Sequence, residues 1–174
     1  MSQYRARHLP SHRGKAAWAA ILGNPAPGPR LEDATTADVI VIGAGFAGLS
    51  AARRLHQIDP TLSIVVLEAG RIAEGAAGRN SGFMIDIPHE LTSEDYAGAG
   101  DDAAQITRNR AAQAFAAEAV AEYQIPEAYF DRAGKINGAA SEKADANNAS
   151  LAAHLDALGE PWERLDRIQM EAVT

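Results

Sequence analysis

The chain has 174 residues, room for one domain and part of another, and 47% of them are hydrophobic, enough to bury a core. It lacks cysteine, which excludes disulfides, iron–sulfur clusters and thiolate zinc sites, and no apolar run nears the ~20 residues of a membrane-spanning helix. The net charge of −7 is uneven: Arg5, Arg7, Arg13, Lys15 and Arg30 put five cations and no acid in the first thirty residues, so the remainder carries −12, an acidic body that argues against nucleic acid as the main partner.

Residues 1–36 read as a basic arm and a proline-rich linker. Met1 to Pro10 is polar and basic. Ser11 is a candidate cap for a short helix through Lys15, Trp18, Ile21 and Leu22, stopped by Gly23. Asn24 to Arg30 (NPAPGPR) follows as an extended linker. A basic, acid-free arm also fits a targeting peptide, but the apolar run from Ala16 to Leu22 is marginal for a signal core and no A-x-A site follows it. The expectation is an ordered arm that docks Trp18 on the globular body of a cytoplasmic protein.

Residues 37–100 hold the stretch that organises the chain, ADVIVIGAGFAGLSAARRLHQIDPTLSIVVLE. Val39 to Ile42 is a continuous β-branched run, the pattern of a strand buried on both faces in a parallel sheet. Gly43, Gly45 and Gly48 follow at G-x-G-x-x-G spacing. From Phe46 the pattern turns helical, with Leu49, Ala52, Leu55 and Ile58 three or four apart. Asp59-Pro60 ends that helix, because proline disfavours helical geometry in the residue before it. Ile64 to Leu67 is a second buried strand, and Glu68 stands at its end.

Together these parts make a Rossmann-like βαβ unit of an α/β fold, suited to a dinucleotide. Gly43 allows the tight turn out of the strand, Gly45 lets a pyrophosphate approach the backbone, and Gly48 lets helix and strand pack closely. The helix start offers free N–H groups and the positive end of its dipole to phosphates. Glu68, twenty residues after Gly48, is placed to accept hydrogen bonds from an adenosine ribose. A carboxylate there repels a 2′-phosphate, which makes NADP the least favoured dinucleotide.

The next residues, AGRIAEGAAGRNSGFM (69–84), form a permissive loop with Gly70, Gly75, Gly78 and Gly82. Such a loop can bring backbone N–H groups against a ligand. Arg71 and Arg79 add positive charge beside the expected phosphate site, and Asn80 and Ser81 can each make directed hydrogen bonds. The plain alternative is a solvated surface loop of ordinary turn residues.

DVIVIGAGFAGLSAARRL followed by VVLEAGRIAEGAAGRNSGFM resembles the amino-terminal part of the D-amino-acid oxidase-type FAD-dependent oxidoreductases, which include glycine and sarcosine oxidases and amine or amino-acid dehydrogenases. The likeness is clearest over residues 37–84. It implies FAD as cofactor, held noncovalently, since covalent members use a histidine or cysteine and this stretch has neither. The resemblance also implies that Gly43, Gly45 and Gly48 line the pyrophosphate and that Glu68 holds the ribose. It puts Arg79, Asn80, Ser81 and Gly82 near the pyrophosphate and flavin, and the implied cofactor-binding set extends to Ala44, Phe46, Ala47, Ala69, Arg71 and Ala77. The implied reaction is oxidation of an amine or amino acid to an imine by hydride transfer to flavin, with no metal and with catalytic residues outside these 174. The alternatives are a non-catalytic nucleotide-binding subunit and an NAD-dependent dehydrogenase.

Residues 101–174 read as a helical region with short strands. Ile85 to Gly100 is irregular and contains Pro88 and His89, the latter reading as polar surface. Asp101 or Asp102 caps an alanine-rich helix to about Gln124, with Ile106, Arg110, Ala114, Phe115, Ala119 and Tyr123 suggesting its inward side. Ile125-Pro126 ends it. Tyr129 to Ala140 suggests a short strand pair about Gly134. Ser141 can cap a helix with Ala144, Asn148, Leu151, Leu155 and Leu158 on one face and Gly159 as its stop. Pro161 is expected to open a last helix with Leu165 and Ile168. No second strongly apolar βαβ unit follows Leu67, although a doubly wound sheet needs more than two strands. The chain is therefore expected to be the amino-terminal part of a two-domain flavoprotein. It would work with a complementary polypeptide, as a subunit, a cleavage product or a shortened chain.

Overall fold

The computed structural model describes residues 11–23, 28–87 and 102–173. The chain divides into two compact units, Met1–Phe83 and Met84–Thr174.

The first unit contains α1 (Ala17–Leu22), β1 (Val39–Ile42), α2 (Phe46–Ile58) and β2 (Ile64–Leu67). β1 and β2 pair in parallel, Val39 beside Ile64 through Ile42 beside Leu67. Parallel pairing needs a crossover connection, and α2 supplies it while packing on both strands. The lower end of the sheet is fastened by a reciprocal pair. The Asp38 N–H donates to Ser63 Oγ (3.0 Å), and the Ser63 N–H and hydroxyl both donate to Asp38 Oδ2 (2.9 and 2.6 Å). α2 ends as expected: Asp59 turns extended, and its carboxylate takes the N–H and hydroxyl of Thr61.

Burial corrects the expected strand. β1 is not covered on both faces: Val39 and Val41 are half-buried, whereas Ile40 is 53% and Ile42 88% exposed. A two-stranded sheet with one crossover helix has one covered layer, and a second layer needs further elements. The helical stripe is thinner than its spacing suggests for the same reason. Ala52 and Leu55 are half-buried, while Leu49 and Ile58 are exposed.

α1 also begins later than expected. Ser11 is exposed and caps nothing, because Gly14 takes a left-handed φ of 66° between it and the helix. The N-cap position falls to Ala16, and Gly23 closes the helix with φ 81°. Residues 28–36 of the linker form no regular element, and 24–27 lie outside the described residues.

The second unit contains α3 (Asp102–Glu122), α4 (Glu142–Leu158) and α5 (Arg167–Val173). The Ser141 hydroxyl caps α4 by accepting from the Ala144 N–H (3.2 Å), and Gly159 ends it in the left-handed conformation. All five residues of the expected α4 face are shielded, with Leu155 buried deepest. On α3, Ile106 is buried, but the rest of the expected stripe fades. Phe115 and Ala119 are half-buried, Ala114 is exposed and Tyr123 is 59% exposed. An alanine-rich helix offers nearly equal sides, so periodicity chooses its face weakly.

Polar side chains supply much of the remaining order. Asn109 and Gln113 donate to the Asp86 and Met84 carbonyls (2.9 and 2.6 Å). Arg110 reaches Asp86 with Nε and forks onto both Glu160 oxygens (3.0 and 2.6 Å). His154 on α4 meets Asp102 on α3 at 3.0 Å.

Two expectations fail in this unit. No strand pair forms over residues 129–140. A single 3₁₀ turn, Glu127–Tyr129, is followed by irregular chain, although Gly134 has the turn-like φ of 82°. An isolated two-stranded hairpin is marginal even with a well-patterned sequence, and DRAGKINGAA has little alternation. The last helix starts at Arg167 and not at Pro161, because Asp166 and Gln169 form a reciprocal capping box: the Gln169 N–H donates to Asp166 Oδ1 and the Asp166 N–H to Gln169 Oε1. Asp101, Pro88 and His89 lie outside the described residues.

Candidate cofactor site

The turn between β1 and α2 has the geometry its glycines were expected to allow. Gly43 has φ 100°, and its N–H extends the sheet by donating to the Leu67 carbonyl (2.7 Å). A Cβ on Gly48 would land on the Gly43 carbonyl and 3.3 Å from Val41 Cγ1, so helix and strand approach as only glycine permits. A Cβ on Gly45 would meet nothing within 4 Å, which leaves open space in front of the helix start. Gly45 is the N-cap of α2 and no described side chain caps it. The first-turn N–H groups of Phe46, Ala47 and Gly48 therefore lie at the positive end of the helix dipole, beside that open space.

Glu68 is joined to this turn. Its Oε2 accepts from the Ala44 N–H (2.8 Å) and its Oε1 from the Gly70 N–H (2.9 Å). These backbone donors, Ala44 first, hold its carboxyl below the ordinary glutamate range. Ala44 is itself buried at 5% exposure. The Ala69 N–H also faces the carboxylate, whose roughly four acceptor positions leave room for a further donor. Ala69 is exposed beside it, as is Arg71.

The glycine-rich loop is more ordered than its composition suggests. Ala76–Gly78 forms one 3₁₀ turn. Asn80 Nδ2 donates to the Ala77 carbonyl (2.6 Å), while its Oδ1 accepts from the Gly82 N–H (2.8 Å). The Arg79 guanidinium donates to three carbonyls: Glu74 at 2.7 Å, Gly14 at 2.8 Å and Arg13 at 3.3 Å. Trp18 Nε1 donates to the Asn80 carbonyl (3.0 Å), so the arm does dock its tryptophan. Ser81 is exposed.

The sequence suggests a ligand at Arg79, Asn80 and Gly82; in the structure these residues receive the arm, which the sequence reading missed. Asp38 and Ser63, which fasten the strands under the site, were missed as well. Asp38 carried a signal, being the polar residue that opens the first strand. Among the described residues no group of three or more His, Asp or Glu could hold a metal ion. No described helix is long and apolar enough to cross a membrane.

Residues 38–174 match the family described as FAD dependent oxidoreductase. The chain belongs to this family. Its cofactor is FAD. The chain is 44% identical over 69 residues to gamma-glutamylputrescine oxidoreductase of Escherichia coli (strain K12). It is 42% identical over 76 residues to the probable oxidoreductase OrdL of Haemophilus influenzae, and 37% over 84 to the mitochondrial L-2-hydroxyglutarate dehydrogenase of Homo sapiens. These matches cover 40%, 44% and 46% of this chain but 16%, 17% and 18% of the relatives, so the chain spans less than a fifth of their length. No solved structure matches the chain.

Proposed function

We propose that this chain forms the adenosine-side FAD-binding portion of a flavoenzyme that oxidises an amine or amino acid. The observation that carries the reading is the open space at Gly45, bounded by the uncapped start of α2 and joined through Ala44 to the Glu68 carboxylate. The pyrophosphate is read at Gly43, Gly45 and Gly48, where N–H groups and the helix dipole favour its charge. The acceptor capacity left on Glu68 suits a ribose hydroxyl. Arg71 and the loop residues Arg79 to Gly82 are read as facing the same cofactor, held without a covalent link.

FAD held by Gly43, Gly45, Gly48 and Glu68 would supply a two-electron acceptor for the oxidation of an amine to an imine. The residues described here bind and orient; no acid or base among them is assigned a proton. Amine chemistry is supported by the likeness to an enzyme named for gamma-glutamylputrescine. A second reading, oxidation of a 2-hydroxy acid, is supported by the relative named for L-2-hydroxyglutarate. Ile40 and Ile42, alternate residues of β1, form an exposed apolar strip leading to the turn. We read it as the surface on which a complementary polypeptide packs, carrying the remaining FAD strands and the substrate domain.

The decisive experiment is Gly45→Val. Its side chain enters open space, so the variant should keep its helical circular dichroism while losing the visible flavin absorbance. A variant that keeps stoichiometric flavin would refute the placement. Anaerobic flavin reduction by a panel of amines and 2-hydroxy acids then separates the two substrate readings. If neither class reduces the flavin in the purified assembly, a non-catalytic binding subunit is the better account.

A further inference from the structure

We propose that the arm, residues 13–18, is a positioning strap for the cofactor loop: its docking holds Arg79–Gly82 in the shape that receives FAD. The proposal rests on the reading of that loop as facing the cofactor. It is carried by four contacts that converge on one short segment. Ala16 is 1% exposed, and a Cβ on Gly78 would stand 3.1 Å from the Ala16 Cβ. The Arg79 guanidinium donates to the carbonyls of Arg13 and Gly14 while its Nε holds Glu74 of its own loop. Trp18 Nε1 donates to the Asn80 carbonyl. The Trp18 ring lies so close over Gly82 that a Cβ there would come within 2.6 Å of it.

These contacts fall on a glycine-rich loop whose own bonds close only single turns within residues 74–82. The loop carries Gly70, Gly75, Gly78 and Gly82, and Gly82 has φ 83°. Glycine loses more conformational freedom on ordering than any other residue. A loop of this composition, left alone, samples many shapes. A ligand that needs one of them binds more weakly in proportion to the population of that shape. The strap removes that loss before the cofactor arrives. It does so through backbone carbonyls and a ring face, leaving the exposed Ser81 side chain available. Arg79 then acts chiefly by holding arm to loop, and its charge near a phosphate is secondary.

The test uses the full chain with Trp18→Ala and Trp18→Phe. FAD is titrated into each purified apoprotein, and the visible circular dichroism of the bound flavin is recorded. Trp18→Ala should weaken FAD binding about tenfold, as when roughly one molecule in ten holds the required shape. It should also change the flavin dichroism and speed tryptic cleavage at Arg79 in the apoprotein. Trp18→Phe keeps a ring over Gly82 and removes only the Nε1–H, so it should show a smaller loss, about threefold, with the dichroism largely restored. If Trp18→Ala fails to fold, Trp18→Phe decides alone. Unchanged affinity and dichroism in a folded variant, with Gly45→Val still abolishing binding, would overturn the strap and leave the site standing. If Gly45→Val keeps its flavin, the site reading itself falls, and the strap with it.

Discussion

The two units are fastened by different means. In residues 1–83 the long-range bonds mostly end on the main chain. Glu68 takes the Ala44 N–H, Gly43 donates to Leu67, Arg79 donates to the Arg13 and Gly14 carbonyls, and Trp18 donates to the Asn80 carbonyl. In residues 84–174 they mostly join side chains: Arg110 with Asp86 and Glu160, His154 with Asp102, Arg164 with Asp145. The lesson is one of vulnerability. A unit built on backbone approach is damaged by adding a single Cβ. In a unit joined through exposed and half-buried polar pairs, the loss of one exposed pair such as Arg164–Asp145 costs little, and the few buried apolar residues matter more.

The sharpest break in that contrast is Gly48→Val, whose Cβ would collide with the Gly43 carbonyl. It should cost about 3 kcal/mol or more, and the βαβ unit should lose both its melting transition and FAD. The matching change in the other unit is Leu155→Ala, which empties the buried centre of α4. It should cost about 2–3 kcal/mol, read as an earlier loss of helical dichroism on heating.

Glu68→Ala tests the backbone-held carboxylate and should weaken FAD by about 1–3 kcal/mol through lost hydrogen bonds to the ribose. Its pH dependence follows from the direction of its shift. The folded pKa lies below the ordinary value, so the stabilisation is fully present above about pH 4.3 and is lost as pH falls through the folded value. Asp38 and Asp59 are lowered by the Ser63 and Thr61 hydroxyls and N–H groups and act with the same sign. Acid titration of FAD retention should therefore be flat from neutrality to about pH 4.3 and fall below it. A fall near pH 6 would contradict this assignment.

The smallest expected effect is a gain. α3 and α4 both end with a bond reaching back five residues, Ile125 to Val120 and Glu160 to Leu155. The left-handed residue is Gly159 in α4 but Gln124, at φ 51°, after α3. Gln124→Gly should raise the thermal midpoint, by about 0.5–1 kcal/mol in stability.

What was legible follows the same division. β1, α2 and β2 occur where the apolar runs, the glycines and Asp59-Pro60 place them, because each signal acts within a few residues. α4 was legible for the same reason, between Ser141 and Gly159. The exposure of Ile40 and Ile42 was not, since a β-branched run states that a strand is apolar and not what covers it. The docking of Trp18 was anticipated, but not its seat. Arg79 meets Gly14 across 65 residues, and no local pattern encodes such a pairing. The hairpin at Gly134 was misread because a turn residue was visible and the alternation that makes strands was not.

The arm's contact with a loop some 65 residues later also orders events during synthesis. Asp38 and Ser63 are 25 residues apart, so β1, α2 and β2 can close on one another soon after Glu68 leaves the ribosome. Chains emerge at about 5–20 residues per second, and this local closure is fast by comparison. Residues 13–18 leave before the βαβ unit but cannot be fastened until residues 74–82 have followed. A segment made before the βαβ unit is thus secured only after that unit has closed, and until then the indole of Trp18 lacks its seat on Asn80 and Gly82.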